Sequence, residues 1–149
     1  MRIIIDGDAC PVGVKRICQT LGQQYQVEVL LVSDENHAFS QTELEDLNVI
    51  QVEQGRDAAD YHIFGIAQAH DIIITSDFGL AALLVDRVIA VISPSCFVYS
   101  SVNMSALLYR RYLEQRERKA GHGTRIKKRT KADDQAFEEL LMTYIAPIV

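Results

Sequence analysis

The stretch that most constrains this chain is Ile3-Ile4-Ile5 running directly into Asp6-Gly7-Asp8. An unbroken β-branched run has no polar face. It suits a strand covered on both sides, as in the middle of a parallel sheet. The run ends in two carboxylates around a glycine, which predicts a turn. Pro11 then stands where a helix would start. The same sentence is written again at Ile72-Ile73-Ile74-Thr75-Ser76-Asp77. Two fully apolar strands that each end in acid predict a shared sheet edge carrying negative charge.

The rest of the chain alternates strand and helix. Helix is expected from Val12 to Gln23, where Val14, Ile17, Cys18 and Leu21 make one apolar face. Strands are expected at Val27–Val32, Val49–Val52, Ile72–Thr75 and Val88–Ile92, with a short extra one at Phe97–Tyr99. Further helices are expected at Gln41–Asp46, Asp57–His70, Phe78–Val85, Ser101–Lys119 (capped by Ser101 or Asn103) and Ala132–Ile145. This alternation predicts an α/β domain with a parallel sheet of about five strands, order 3-2-1-4-5, and helices on both faces. In that order strands one and four are neighbours and the connections diverge between them. The crevice at their C-terminal tips is then the ligand site.

A chain of 149 residues is most simply one domain. No segment approaches a membrane span, and the N-terminus enters a strand at once, so a cytoplasmic protein without a signal peptide is expected. Cys10, Cys18 and Cys96 are odd in number and lack CxxC spacing, which fits a reducing compartment. Cys10 lies near a helix N-terminus, but no histidine adjoins it in sequence, so a packing role is the expectation. His37, His62, His70 and His122 have no zinc-ligand spacing with the cysteines.

The net charge of −5 conceals an asymmetry. Residues 1–108 carry 5 basic and 14 acidic side chains, residues 109–131 carry 10 and 2, and residues 132–149 carry none and 4. The expected organisation is an acidic α/β body (1–108), a basic helix end and loop (109–131) and a closing helix (132–149), all within one domain of residues 1–149.

The acids gather where the topology would place a site. Asp6 and Asp8 follow the first strand, and Asp77 follows the fourth. Asp57 and Asp60 open a helix, and their spacing of three puts them on one face. Carboxylates without basic partners repel one another unless a cation joins them. Mg²⁺ or Mn²⁺ suits such oxygen donors. Helix capping is the plainer account for Asp8, Asp57 and Asp77. It explains Asp6 and Asp60 less well, because Asp6 ends a strand and Asp60 adds a second acid to a turn already supplied by Asp57.

Asp6-Gly7-Asp8-Ala9-Cys10-Pro11, Gly55-Arg56-Asp57-Ala58-Ala59-Asp60 and the run from Ile72 to Ala81 together resemble the YaiI/YqxD family of bacterial proteins. The resemblance extends to the tail through Arg111, the basic Gly-containing loop and Asp134-x-x-Phe137. The family's usual first motif is Asp-Ala-Asp-Ala-Cys-Pro, so Gly7 departs from it. Ile126-Lys127-Lys128 likewise stands where Gly-Pro and an aromatic are expected. The family is grouped with PIN-like domains, many of which are metal-dependent ribonucleases. The resemblance therefore implies a PIN-like fold and an acidic site at Asp6, Asp57, Asp60 and Asp77, with Asp8 as an added acid.

The leading functional expectation is metal-dependent hydrolysis of phosphodiester bonds in RNA. Asp6 and Asp77 are the expected main ligands, Asp57, Asp60 and Asp8 hold a second ion or waters, and Thr75 and Ser76 position water or ligand. Arg110, Arg111, Arg116, Arg125, Lys127, Lys128 and Arg129 are the expected nucleic-acid contacts, and Tyr99, Tyr109 and Tyr112 are candidates for base stacking or for helix packing. A homodimer is compatible with this class. Two rivals stand beside it. A non-catalytic nucleic-acid-binding protein would keep the acids as caps. A haloacid-dehalogenase-like phosphatase would use Asp6 as nucleophile in Asp6-x-Asp8, although Cys10 replaces the Thr or Val expected there. Asp77-Phe78-Gly79 matches a kinase triplet, but no Gly-rich phosphate loop accompanies it.

Overall fold

In the computed structural model, residues 1–7, 10–34, 47–53, 55, 57–119 and 128–146 are described. The strands are β1 (Arg2–Asp6), β2 (Glu28–Asp34), β3 (Asn48–Val52), β4 (Ile72–Ile74), β5 (Ala90–Ile92) and β6 (Val98–Tyr99). The helices are α1 (Val12–Tyr25), α2 (Ala58–Ile66), α3 (Phe78–Leu84), α4 (Met104–Lys119) and α5 (Lys131–Ile145). The sheet order is β3-β2-β1-β4-β5-β6. All pairs are parallel except β5 with β6, which is antiparallel. The expected five-strand order is present, with β6 added as an edge strand.

The two isoleucine runs lie side by side, Ile3 opposite Ile72, Ile4 opposite Ile73 and Ile5 opposite Ile74. All six are fully buried. Strand alternation splits them between two cores. Ile3, Ile5, Ile72 and Ile74 pack with Val14, Cys18 and Leu21 of α1 and with Phe137, Leu141 and Ile145 of α5. Ile4 and Ile73 pack with Ala59 and Ile63 of α2 and with Leu80, Ala81 and Leu84 of α3. This is a three-layer α/β domain, and α4 contributes to neither buried cluster. Truncating Ile4 or Ile73 to alanine would cost about 2–5 kcal/mol.

Close approach bears on Gly7 and Gly13, as it does on Gly22, where a Cβ would lie 2.8 Å from the Val27 carbonyl oxygen. Gly7 has no left-handed φ. A Cβ there would lie 2.8 Å from Leu31 Cδ1 and 3.1 Å from the Val32 carbonyl oxygen, to which the Gly7 N–H already donates at 2.8 Å. The neighbouring strand, more than the turn, explains this glycine. At Gly13 a Cβ would meet the Asp134 carboxylate at 2.5 Å, so the glycine lets α5 dock against the start of α1.

Most element limits agree with the sequence expectation within two residues. Three do not. The α2 helix stops at Ile66 instead of His70. Ala67 turns to extended backbone, the Gln68 N–H donates to Asp71 Oδ2 at 2.7 Å, and Arg2 donates to the Ile66 carbonyl at 2.8 Å and to both Asp71 oxygens. A side chain 64 positions away takes the carbonyl at the end of this helix. The β5 strand is shorter than expected, because Val88 and Ile89 lie in the preceding turn, with the Ile89 N–H on the Asp71 carbonyl at 3.1 Å. The α4 helix starts at Met104, after a turn in which Ser100 and Asn103 each donate a backbone N–H to the other's side-chain oxygen. The expected helix Gln41–Asp46 lies outside the described residues.

Candidate metal centre and nucleic-acid cleft

The β1 and β4 strands are adjacent, and their chain connections diverge to opposite sides of the sheet. Both strands end at the same edge, which is the position where open α/β sheets bind ligands. Asp6 ends β1, while Thr75, Ser76 and Asp77 follow β4. Asp57 and Asp60 arrive from the start of α2. A cleft of about 1140 Å³ has Asp6, Asp57, Asp60, Ser76 and Asp77 on its lining.

Carboxylate oxygens of Asp57, Asp60 and Asp77 all lie within 4.8 Å of one another. Asp6 lines the same cleft and is linked to this cluster through Thr75. The Thr75 hydroxyl, buried to 1% exposure, donates to Asp6 Oδ2 at 2.9 Å and accepts from the Asp77 N–H at 3.0 Å. One side chain therefore sets the spacing of the two strand tips. Ser76 is exposed in the cleft, and Asp8 lies outside the described residues.

The capping account holds for one acid and fails for another. Asp77 caps α3, its Oδ1 accepting from the Leu80 N–H at 3.0 Å. Asp57 occupies the N-cap position of α2 but makes no side-chain cap hydrogen bond, and its backbone is left-handed at φ 62°. Its carboxylate points to no capping duty and stands in the cluster. Asp60 is hydrogen-bonded to Asp77. Burial first, then that bond and the charges of Asp77, Asp6 and Asp57, push its carboxyl up to about 7. A donor set made only of carboxylate oxygens, with a proton retained in its midst, fits a hard divalent cation such as Mg²⁺ or Mn²⁺.

The cleft's other wall is α4. Ser105, Leu108, Tyr109, Arg111, Tyr112 and Gln115 line it, together with Phe78 and Gly79 of α3. Tyr109 and Tyr112 are 63% and 54% exposed, so they do not serve helix packing. The Arg111 guanidinium lies 5.0 Å from the Phe78 ring centroid, and Arg116 lies 5.9 Å from that of Tyr112. Arg110 and Lys128 are exposed. Arg129 is tied down, donating to Asp134 at 2.6 Å and to the Pro94 carbonyl at 2.7 Å. Arg125 and Lys127 lie outside the described residues. Tyr99 is half-buried and packs edge-on against Phe97.

Phe78, Leu108 and Gln115 were not legible as cleft residues. The signal was present as helical spacing, since 105, 108, 109, 112 and 115 share one face of α4, but such a stripe ordinarily reads as core. Cys10 is not activated, because burial pushes its thiol up to about 12. No helix among the described residues is long and apolar enough to cross a membrane.

Fold and cleft define an open α/β protein with a carboxylate cluster at its switch point. The chain belongs to the YaiI/YqxD family, described as "Uncharacterized BCR, YaiI/YqxD family", which it matches over residues 4–147. It is 37% identical to a UPF0178 protein of Ruminiclostridium cellulolyticum, covering 99% of this chain and 94% of that one. It is 36% identical to one of Oceanobacillus iheyensis, covering 97% and 99%. A UPF0178 protein of Bacillus cereus is 35% identical, covering 98% and 99%. No solved structure matches the fold significantly.

Proposed function

We propose that this chain is a metal-dependent phosphodiesterase acting on RNA. The observation that carries the reading is the convergence of Asp57, Asp60 and Asp77 beside Asp6, on the lining of a cleft whose other wall bears Arg111 and two exposed tyrosines. A divalent ion held by these carboxylates would activate water and offset charge developing on the phosphate. The chain's own groups supply the remainder. Thr75 fixes Asp6 and the Asp77 backbone, Ser76 offers a hydroxyl to a water or phosphate, and Arg111 adds positive charge. The tyrosines offer faces for unpaired bases. Asp57, at a cap position without a cap bond, favours this reading over a non-catalytic one in which the acids only cap helices.

The test is Mn²⁺ calorimetry followed by cleavage of a labelled RNA pool, on the wild type, Asp60→Asn and Asp77→Asn. Saturable binding and metal-dependent cleavage, both lost in the variants, are the expected results. RNA binding with no metal-dependent turnover would move the protein to the binding class.

A further inference from the structure

A second groove meets the acid cluster. It has a volume of about 490 Å³ and shares Asp57, Asp60 and Asp77 with the first cleft, but its walls are α2 and α3 instead of α4. Tyr61 and Phe64 line it from α2 and Leu83 from α3. These side chains are not spare core. The inward faces of the two helices are already supplied by Ala59 and Ile63 and by Leu80, Ala81 and Leu84. Tyr61 and Leu83 are instead 75% and 57% exposed. Phe64 carries the exposed Arg87 guanidinium 4.5 Å from its ring centroid.

We propose that the groove between α2 and α3 is a second base-binding subsite, which takes a nucleotide adjoining the phosphate held at the acid cluster while α4 takes nucleotides on the other side. The proposal rests on the phosphodiesterase reading above. Three features select a nucleotide as occupant. The groove is continuous with the carboxylates, so a strand whose phosphate lies there extends into it. Its wall is aromatic and apolar, which suits the flat face of a base. Arg87, stacked on the Phe64 ring of that wall, adds a cation for a phosphate further along the strand. A base can enter only when unstacked, so the strand is single-stranded here.

The experiment is equilibrium binding of a fluorescein-labelled single-stranded 12-nucleotide RNA in Ca²⁺, paired with Mn²⁺ calorimetry. Tyr61→Ala and Leu83→Ala should each weaken RNA binding, Tyr61→Ala by about tenfold, the scale of one lost stacking contact. Tyr61→Phe should bind as wild type, and Mn²⁺ affinity should be unchanged in all three. RNA affinity unchanged in Tyr61→Ala and Leu83→Ala, with the wild type binding RNA and Mn²⁺ normally, would overturn the subsite and leave the phosphodiesterase reading standing. A wild type that binds neither Mn²⁺ nor RNA would overturn both. Self-association of the wild type, abolished by Tyr61→Ala, would assign the groove to a second copy of the chain and also overturn the proposal.

Discussion

The Asp60 carboxyl and the Asp77 carboxylate are hydrogen-bonded to each other across the cleft, one from the first turn of α2 and the other from the N-cap of α3. Two helices that pack together in one buried cluster thus also meet at their N-terminal ends through a carboxyl pair. Such a pair holds together with one proton and repels without it. A divalent cation and that proton compete for the same oxygens, so occupancy of the site is coupled to pH.

The coupling has a definite sign. Asp60 titrates at about 7 in the folded chain and near an ordinary carboxylate value, about 4, when unfolded. The folded state therefore binds the extra proton between those values. Its stabilising contribution is fully present below about pH 4 and is lost as pH rises through about 7. Metal binding should show the opposite trend, with Mn²⁺ affinity falling up to about tenfold per pH unit below 7. Melting temperatures with and without Mn²⁺ at pH 5.5 and pH 8 check this. The Mn²⁺-induced rise should be larger at pH 8, and Asp60→Asn should remove the difference.

Thr75 tests whether the strand tips are set by one hydroxyl. Thr75→Val keeps the volume but removes the donor to Asp6 and the acceptor for the Asp77 N–H. A loss of about 1–3 kcal/mol is expected from the polar groups left unpaired. Mn²⁺ affinity should fall as well, while Thr75→Ser should retain both. Urea denaturation and calorimetry on the two variants separate the outcomes, and a fully stable Thr75→Val would show that the bridge is incidental.

Asp57 and Asp77 both stand at N-caps, yet their replacement should have unlike costs. Asp77→Ala removes the bond to the Leu80 N–H, for about 1 kcal/mol. Asp57→Gly removes no cap bond and relieves a left-handed residue, so its stability should stay near wild type. Both should lose Mn²⁺ affinity. Comparing urea midpoints with metal titrations therefore separates capping from ligation.

The parts of this architecture that could be read from the chain are those set by local composition. Ile3–Ile5 and Ile72–Ile74 admit only strands covered on both faces, and the acids directly after them then fall on one sheet edge. What could not be read depends on distant partners. Nothing near Ile66 announces that Arg2 will take its carbonyl and end α2. Nothing in the neighbouring sequence announces that Asp57 will take a left-handed backbone and make no cap bond. Leu108, Tyr109 and Tyr112 on α4 suit a core face as well as a cleft, and the placement of α4 outside both cores is what makes them a cleft wall. Asp6 and Asp77, the expected main ligands, both line the cleft. The close cluster is Asp57, Asp60 and Asp77, with Asp6 joined through Thr75.

Within the basic segment, Lys128 and Arg129 are adjacent in sequence and opposite in role. Lys128 is exposed, whereas the Arg129 guanidinium joins the first turn of α5 to the Pro94 carbonyl in the β5–β6 connection. Asp134, its carboxylate partner, rests against Gly13, so the pair also fixes how α5 meets α1. Arg129→Ala should therefore destabilise the protein by about 1–3 kcal/mol, the range for a charged hydrogen bond removed from a half-buried site. Lys128→Ala should leave stability within about 0.5 kcal/mol. The order should invert in RNA binding, where Lys128→Ala reduces the salt slope by about one phosphate contact if the segment tracks the backbone. Urea denaturation and RNA titrations across salt read the two effects separately. An Arg129→Ala protein as stable as wild type would show that α5 is held by its apolar face alone, through Phe137, Leu141 and Ile145.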